Sequence, residues 1–512
     1  MRQGRRFAIA LTVPVAVLAM PAIVAAQDHS ANHRQYKAVD LGTFGGPQSY
    51  LNPASTYGSP NQINDRGTAV GGSDTSIPPT PTSNGFICFG PTGLVPFVNH
   101  AFERRNGVVT DLGTLAGPEN CSVATSVNEG GRIAGTSENG VVDPILGVTE
   151  VRAVVWNHGQ IQDLGTLGGN HSAACCSNDR GQVAGLALNS IPDPFAFFGA
   201  GTEVRAFRWQ EGRMNDLGTL GGPDALATGV NQRGHVAGYS YTSYTPNPTT
   251  GLPTVDPFLW KDGTMTDLGT LGGTNGVSLG LNNRGQVFGF SNLAGDQVAD
   301  PFLWDGEKLI DLYAETSGGN IWTADAIDDA GRVVGAADFS AAGGFSYAAA
   351  LWKNGKAIDL GTPKDDCCSE AFAINSAGQI VGVVVSNAGE QRAVLWEEGS
   401  MVELNSKLPP GFPLRLAVAF AINERGEIGG SGLPAGCDDN DTCSHAFLLI
   451  PDGQDDDGDL EDSAVATPSA VADADPRPTT IRETPSAQKM VARIRDRMAR
   501  RPQRPGSLSS QH

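Results

Sequence analysis

The phrase Asp-Leu-Gly-Thr-Leu-Gly-Gly constrains this chain more than any other feature, because it and worn copies of it recur eight times between Asp40 and Glu403. Clean copies start at Asp163, Asp216 and Asp267, near copies at Asp40 and Asp111, and degraded ones at Asp311, Asp359 and Glu403. Repetition at a period of roughly 50 residues implies a modular architecture in which each unit buries its apolar surface against the next. Two further landmarks travel with the phrase. An apolar run ending in Trp precedes it, and the Trp lies seven residues before the acid in six units: Trp156/Asp163, Trp209/Asp216, Trp260/Asp267, Trp304/Asp311, Trp352/Asp359 and Trp396/Glu403. The last landmark is Asn-x-x-Gly, then an apolar residue and another Gly, as in Asn231 to Gly238 and Asn282 to Gly289.

The spacing has a physical reading. Between Trp260 and Asp267 lies Asp262-Gly263, a pair suited to a two-residue hairpin in which both central residues take positive φ. Folding there sets Trp260 opposite Met265 and Phe258 opposite Asp267, with Leu259 and Leu268 on the other face. Apolar groups on both faces call for a sheet covered on both sides. The Asn-x-x-Gly turn makes a second hairpin, here between Val277–Asn282 and Gln286–Phe290. Each unit therefore supplies four short strands, which is one propeller blade. Abundant Gly (66 residues) and modest charge (18%) suit many strands and tight turns.

The repeat region opens in mid-unit at Tyr36–Leu41 and closes at His445–Ile450, a Trp-type strand without its Asp-Leu-Gly partner. The two fragments complete each other, and their pairing removes open sheet edges. The expected fold is an all-β closed propeller of eight four-stranded blades, with seven as the fallback. The strand ending at each Asn is expected innermost and the Asp-Leu strand outermost. The largest insertions, Ser73–Asn99 and Tyr239–Asp256, fall at the same point of their units and so share one face.

These landmarks resemble the HAF family of probable extracellular repeats, named for the phrase seen at His100-Ala101-Phe102 and His445-Ala446-Phe447. The resemblance spans Tyr36 to Ile450 and implies an exported protein; it carries over no catalytic residue. The chain divides into an export signal (1–26), a short lead (27–35), the repeats (36–450) and a tail (451–512). Arg2, Arg5 and Arg6 precede a short apolar run, Phe7 to Met20, and Val24-Ala25-Ala26 fits a cleavage site. The run contains Pro14 and is too short for a permanent membrane span. Both the Sec and the twin-arginine routes fit. In the tail, an acidic stretch and an Ala/Pro/Thr-rich linker lead to Gln488–Arg501. There Met490, Val491, Ile494 and Met498 share one helical stripe among arginines, a pattern for an anionic surface, for docking to another protein, or for a solvated tail.

The net charge of −20 excludes a general nucleic-acid binder. No Gly-x-Ser-x-Gly, His-Glu-x-x-His or phosphate loop is present. The acids at Asp163, Asp216 and Asp267 read as structural acceptors for the following Gly-rich turn, since a reactive group is needed once and these recur. The six registered Trp residues read as packing between blades rather than a sugar platform. Cys437 and Cys443 are placed for a disulfide. Cys175-Cys176 and Cys367-Cys368 lack zinc-site spacing. Calcium at Asp438, Asp439 and Asp441, or at Asp455, Asp457 and Asp459, is weighed against plain surface charge, and no other cofactor is indicated. The expectation is an exported, non-enzymatic propeller that binds an extracellular protein or glycan through loops on one face. The alternatives are a secreted polymer-degrading hydrolase or lyase with its site in the central channel, and a passive envelope component.

Overall fold

In the computed structural model, the described residues are 35–51, 61–88, 97–248, 250–340, 347–438 and 442–453. The expected export signal, almost all of the lead, and the tail beyond Gly453 lie outside them. The described part is all-β. Its helices are the four-residue Gly85–Cys88 and two short 3-10 turns, Phe197–Gly199 and Leu404–Lys407. None is long and apolar enough to cross a membrane.

Sheets of four antiparallel strands, hydrogen-bonded in chain order, repeat along the chain. One sheet is Ser122–Val127, Ile133–Val142, Thr149–Asn157 and Gln160–Asp163, and the next is Ser172–Ser177, Val183–Pro192, Thr202–Gln210 and Arg213–Asp216. The following two sheets touch through a single parallel bridge, Val255 to Asn275. In the sheet that ends at Lys356–Asp359 the first strand is broken into Asn320–Ile321 and Ala326–Ile327. The final sheet takes its fourth strand from the other end of the sequence: Tyr36–Asp40 pairs antiparallel with His445–Pro451, Tyr36 opposite Pro451 and Asp40 opposite Phe447.

Local chemistry sets the register. Asp262 and Gly263 have φ of 51° and 87°, and the hairpin pairs Trp260 with Met265 and Phe258 with Asp267. A bulge recurs in the first strand of most sheets, between Ala124 and Ser126, Ala174 and Cys176, and Ala227 and Gly229. It explains the second Gly of the Asn-x-x-Gly phrase: a Cβ on Gly185 would collide with the carbonyl oxygen of Ala173, and one on Gly135 with that of Val123.

Successive sheets pack face to face. Val155 and Leu164 of one sheet meet Val183, Phe207 and Trp209 of the next. Ala184, Ala206 and Leu217 then meet Val236, Phe258 and Trp260. Burial of each such side chain contributes about 1.5–3 kcal/mol. The Leu of Asp-Leu-Gly lies at the crossing between sheets, where its apolar side chain belongs to both. Leu448 and Ile450 pack with Leu51 and Phe102 in the same manner.

The Asn turns are also joined. Asn64 Nδ2 donates to the carbonyl of Asn128 at 2.9 Å, Asn128 to Asn178 at 3.0 Å, Asn178 to Asn231 at 2.8 Å, and Asn231 to Asn282 at 3.0 Å. Asn282 donates to Asp328 at 2.9 Å. Asp328 has no amide to pass on; Arg332 reaches the Asn375 carbonyl instead at 3.2 Å. Asn375 donates to Asn423 at 3.0 Å, and Asn423 to Asn64 at 2.8 Å.

Candidate functional site

Because the strands alternate in direction, each sheet has a side carrying the Asn turns and a side carrying the loops between its second and third strands. The crossing segments lie on the loop side. There the repeated acid turns back on its own chain. Asp163 Oδ1 accepts the Gly165 N–H at 2.7 Å, Asp216 that of Gly218 at 2.8 Å, and Asp267 that of Gly269 at 2.8 Å. The same acids face a second residue, two positions before their cross-strand partner. In five sheets it is Arg or His. His100 meets Asp111 at 2.7 Å, Arg152 meets Asp163 at 3.6 Å, and Arg205 meets Asp216 at 3.1 Å. Arg392 meets Glu403 at 3.3 Å and His445 meets Asp40 at 3.0 Å. Burial opposes charge on His100, but its hydrogen bond to Asp111 and that acid's charge outweigh burial and lift the imidazole above its ordinary value.

The sheet of Asp267 breaks this rule. The position two before Phe258 is Asp256, so carboxyl faces carboxyl. Burial, then the charge of Asp267 and the hydrogen bond the pair shares once one of them is protonated, raise Asp256 to about 7. Asp256 is half-buried and Asp267 exposed. A carboxyl raised toward neutrality beside a second, exposed carboxyl is the arrangement a general acid–base pair uses. The next sheet repeats the substitution with Asp300, two before Phe302, opposite Asp311.

Other acids on the loop side anchor each loop to the following sheet. Glu138 accepts the N–H groups of Asn84 at 2.6 Å and Cys121 at 2.7 Å, beside a Cys88–Cys121 disulfide. Asp143 accepts from Ile145 at 2.6 Å and Leu146 at 2.9 Å, and meets His171 Nε2 at 3.1 Å. His171 Nδ1 takes the Val151 N–H at 3.2 Å, which puts the ring proton on Nε2. Burial holds this histidine below its ordinary value despite Asp143. At the corresponding place in the next sheet stands Asp224, which accepts from Val204 at 2.8 Å and Phe197 at 2.5 Å. Burial, with Asp193 and Glu203 nearby, raises it to about 7. Asp74 is likewise raised to about 7 by burial. All of these are enclosed, so they fix loops rather than meet a substrate.

The registered tryptophans sit between sheets. Trp156 is fully buried and donates Nε1–H to Leu112 O at 2.9 Å; Trp352 donates to Thr316 Oγ1 at 3.0 Å. Arg208 lies over the Trp260 ring at 4.6 Å. Trp209 packs with Val155, Trp304 with Leu268 and Phe302, and Trp396 with Ala326 and Val334. Cys437 and Cys443 form a disulfide, and Asp438 beside it is exposed. Asp439, Asp441, Asp455, Asp457 and Asp459 lie outside the described residues. Among the described residues, Cys88, Cys121 and Glu138 have metal-ligand spacing, but the two sulfurs are bonded to each other. Sequence reasoning missed the Asp256 pair. The signal was present: an acid stands in Val-Asp-Pro-Phe where five other units have His or Arg before Ala.

No family model and no curated protein matches this chain. Among solved structures, it is similar to the β-propeller domain of the Trilobed protease from Pyrococcus furiosus, at 10% identity over 72% of this chain and 99% of that one, with a TM-score of 0.39. It is similar to a structure of prolyl endopeptidases at 11% identity, 70% of this chain, 52% of that one and a TM-score of 0.41. A puromycin hydrolase gives 14%, 78%, 63% and 0.37. The chain thus spans about half to three-fifths of those two enzymes. At these scores the matches assign no residue, substrate or reaction here. These structures are named as a protease's β-propeller domain, prolyl endopeptidases and a puromycin hydrolase, and the expectation of a non-enzymatic binder is corrected accordingly.

Proposed function

We propose that residues 36–450 close into an eight-bladed propeller and that the chain is an exported hydrolase acting on a polymer at the loop side. Closure is supported by the pairing of Tyr36–Asp40 with His445–Pro451 and by the Asn relay that returns from Asn423 to Asn64. The innermost place of each first strand is supported by contacts between neighbouring first strands, Ser126 to Ser177 at 2.9 Å and Thr228 to Ser278 at 2.8 Å. Membership of the HAF type, and with it export, is supported by a physical role for the His of the phrase: in both copies it pairs with the repeated Asp.

The observation that carries the catalytic reading is the hairpin register that sets the half-buried Asp256 beside the exposed Asp267, where burial and the charge of Asp267 raise Asp256 to about 7. In hydrolysis the protonated carboxyl gives its proton to the leaving atom as that bond breaks. The ionised one takes a proton from water as the water oxygen forms the new bond. This puts the chemistry on the outer strands at the rim of the loop side instead of in the channel. The test is a turnover screen of the mature chain on polysaccharide and peptide pools, beside Asp256→Asn. Release of product by the native chain, falling as pH passes about 7 and lost in the variant, is expected. Absence of turnover on both pools, or equal turnover by the variant, overturns the reading and favours a passive envelope component.

A further inference from the structure

Among the described residues, the exposed large apolar side chains are not scattered. All but Val108 and Ile358 sit at the loop ends of three consecutive sheets. Val141 and Ile145 (70% exposed) come from the first loop, Ile191 and Phe198 (61%) from the second, and Tyr244 (60%) and Leu252 from the third. The loops adjoin one another. A Cβ on Gly201 would touch Ile145 at 3.8 Å, and Tyr244 Oη donates to Glu203 Oε1 at 3.0 Å. Exposed apolar area of this extent on one side marks a surface that something covers.

Its charge narrows the choice of occupant. The stretches 139–150, 189–203 and 242–256 contain the buried Asp143, Glu150, Asp193 and Glu203 and the half-buried Asp256 and no Lys, Arg or His, so their net charge is negative although these carboxyls are mostly enclosed. Arg152 and Arg205 answer Glu150 and Glu203 from just outside. A fitting occupant is therefore apolar and basic. Outside the expected export signal and the described residues, one segment of the sequence combines both. Gln488–Arg501 carries Lys489, Arg493, Arg495, Arg497, Arg500 and Arg501 against a single Asp496, around the stripe of Met490, Val491, Ile494 and Met498. Its sequence matches the platform in both respects.

We propose that Gln488–Arg501 docks intramolecularly on the apolar platform, of net negative charge, formed by the loops around Ile145, Phe198 and Tyr244. The connection is long enough. The last described strand, His445–Pro451, ends on the Asn-turn side, so the tail must return past one strand length, about 23 Å for seven residues. Residues 454–487 span roughly 30 Å as a coil and about 110 Å when extended. Tethering gives the tail an effective concentration on the order of millimolar, so weak contacts suffice to keep it seated. The proposal stands apart from the hydrolase reading, since it needs no turnover.

The test uses full-length mature chains and a labelled synthetic peptide of residues 488–501. The native chain is compared with a tail variant (Met490→Asp, Ile494→Asp, Met498→Asp) and with that tail variant also carrying Ile145→Ser, Phe198→Ser and Tyr244→Ser. The peptide is expected to bind the tail variant about tenfold or more tighter than the native chain, whose own tail competes. It is expected to lose that binding in the platform variant and in high salt. A peptide with Arg493, Arg495 and Arg497 replaced by Glu tests charge without touching the folded part, and is expected not to bind. Equal binding to the native and tail-variant chains, no binding to either, or binding that survives charge reversal overturns the proposal. So does a tail variant that instead dimerises through the exposed platform, because a second copy is then the occupant.

Discussion

The sheet of Arg205 and the sheet of Asp256 are neighbours built on one plan, and they differ at one decisive place. In the first, Arg205 bridges Asp216 and Glu203 and also donates to the Pro223 carbonyl at 3.3 Å. In the second, the same position holds an acid against Asp267. The ion pair offsets the desolvation of both partners, whereas the acid pair can be held only by keeping a proton. A repeat that neutralises this position with His or Arg in five sheets and then sets two acids together gives up local stability there. Such a departure from a repeated structural rule is where function is best sought.

The comparison breaks most severely if the cation is removed from the regular sheet. Arg205→Asp leaves three carboxyls together and a carbonyl without its donor. Partial exposure of Asp216 lessens the penalty, so a loss of about 2 kcal/mol is expected, read as a lower midpoint in urea unfolding. An unchanged midpoint means that the ion pairs contribute nothing and that the contrast between the sheets has no energetic content.

The opposite change sharpens it. In Asp256 the folded state holds its proton to about 7, far above the ordinary carboxylate value, so the folded chain binds more protons than the unfolded one across the acid range. The stability this gives is complete below the unfolded value, near 4, and is lost as pH rises through about 7. Asp256→Asn removes the titration. The variant is expected to be more stable than the native chain at pH 8, by about 1 kcal/mol after allowance for its exposure, and no more stable at pH 4. Gain of stability with loss of turnover in the same variant separates a working pair from a structural one.

How far this was legible in the sequence differs by level. The hairpin about Asp262-Gly263 follows from turn chemistry and a period of two, and the pairs Trp260/Met265 and Phe258/Asp267 have the register those rules give. The pairing of Tyr36–Asp40 with His445–Pro451 followed from counting which landmarks each end lacked. The strand broken at Asn320–Ile321 and Ala326–Ile327 was not legible, because its disruption depends on how the segment after Asp311 turns. The Cys88–Cys121 link escaped because 33 residues separate the partners, and placing the insertion on one face named no partner for Cys88. The acid pair escaped for a different reason. Asp256 and Asp267 are both ordinary surface residues until the hairpin register sets them side by side, and the repeated acids had been read as a set rather than each with its own partner. The neutralising role of the HAF histidine was hidden likewise.

The smallest effect concerns two histidines that share the loop side and are expected to titrate in opposite directions. His100 is raised by Asp111 against the pull of burial, so the folded state favours its proton; that contribution is present below the unfolded value near 6.5 and fades as pH climbs through the folded one. His171 is lowered by burial in spite of Asp143, and its Nδ1 is already committed to the Val151 N–H, so protonation would cost that bond. Its contribution is present at neutral pH and is lost as pH falls below the unfolded value, where the unfolded chain takes up a proton first. Imidazole proton shifts followed across pH 4–9 by NMR should give a midpoint above the ordinary value for His100 and below it for His171. Coincident midpoints would mean that an acid at hydrogen-bond distance acts alike on both, and that the exposure of Asp111, against the burial of Asp143, makes no difference.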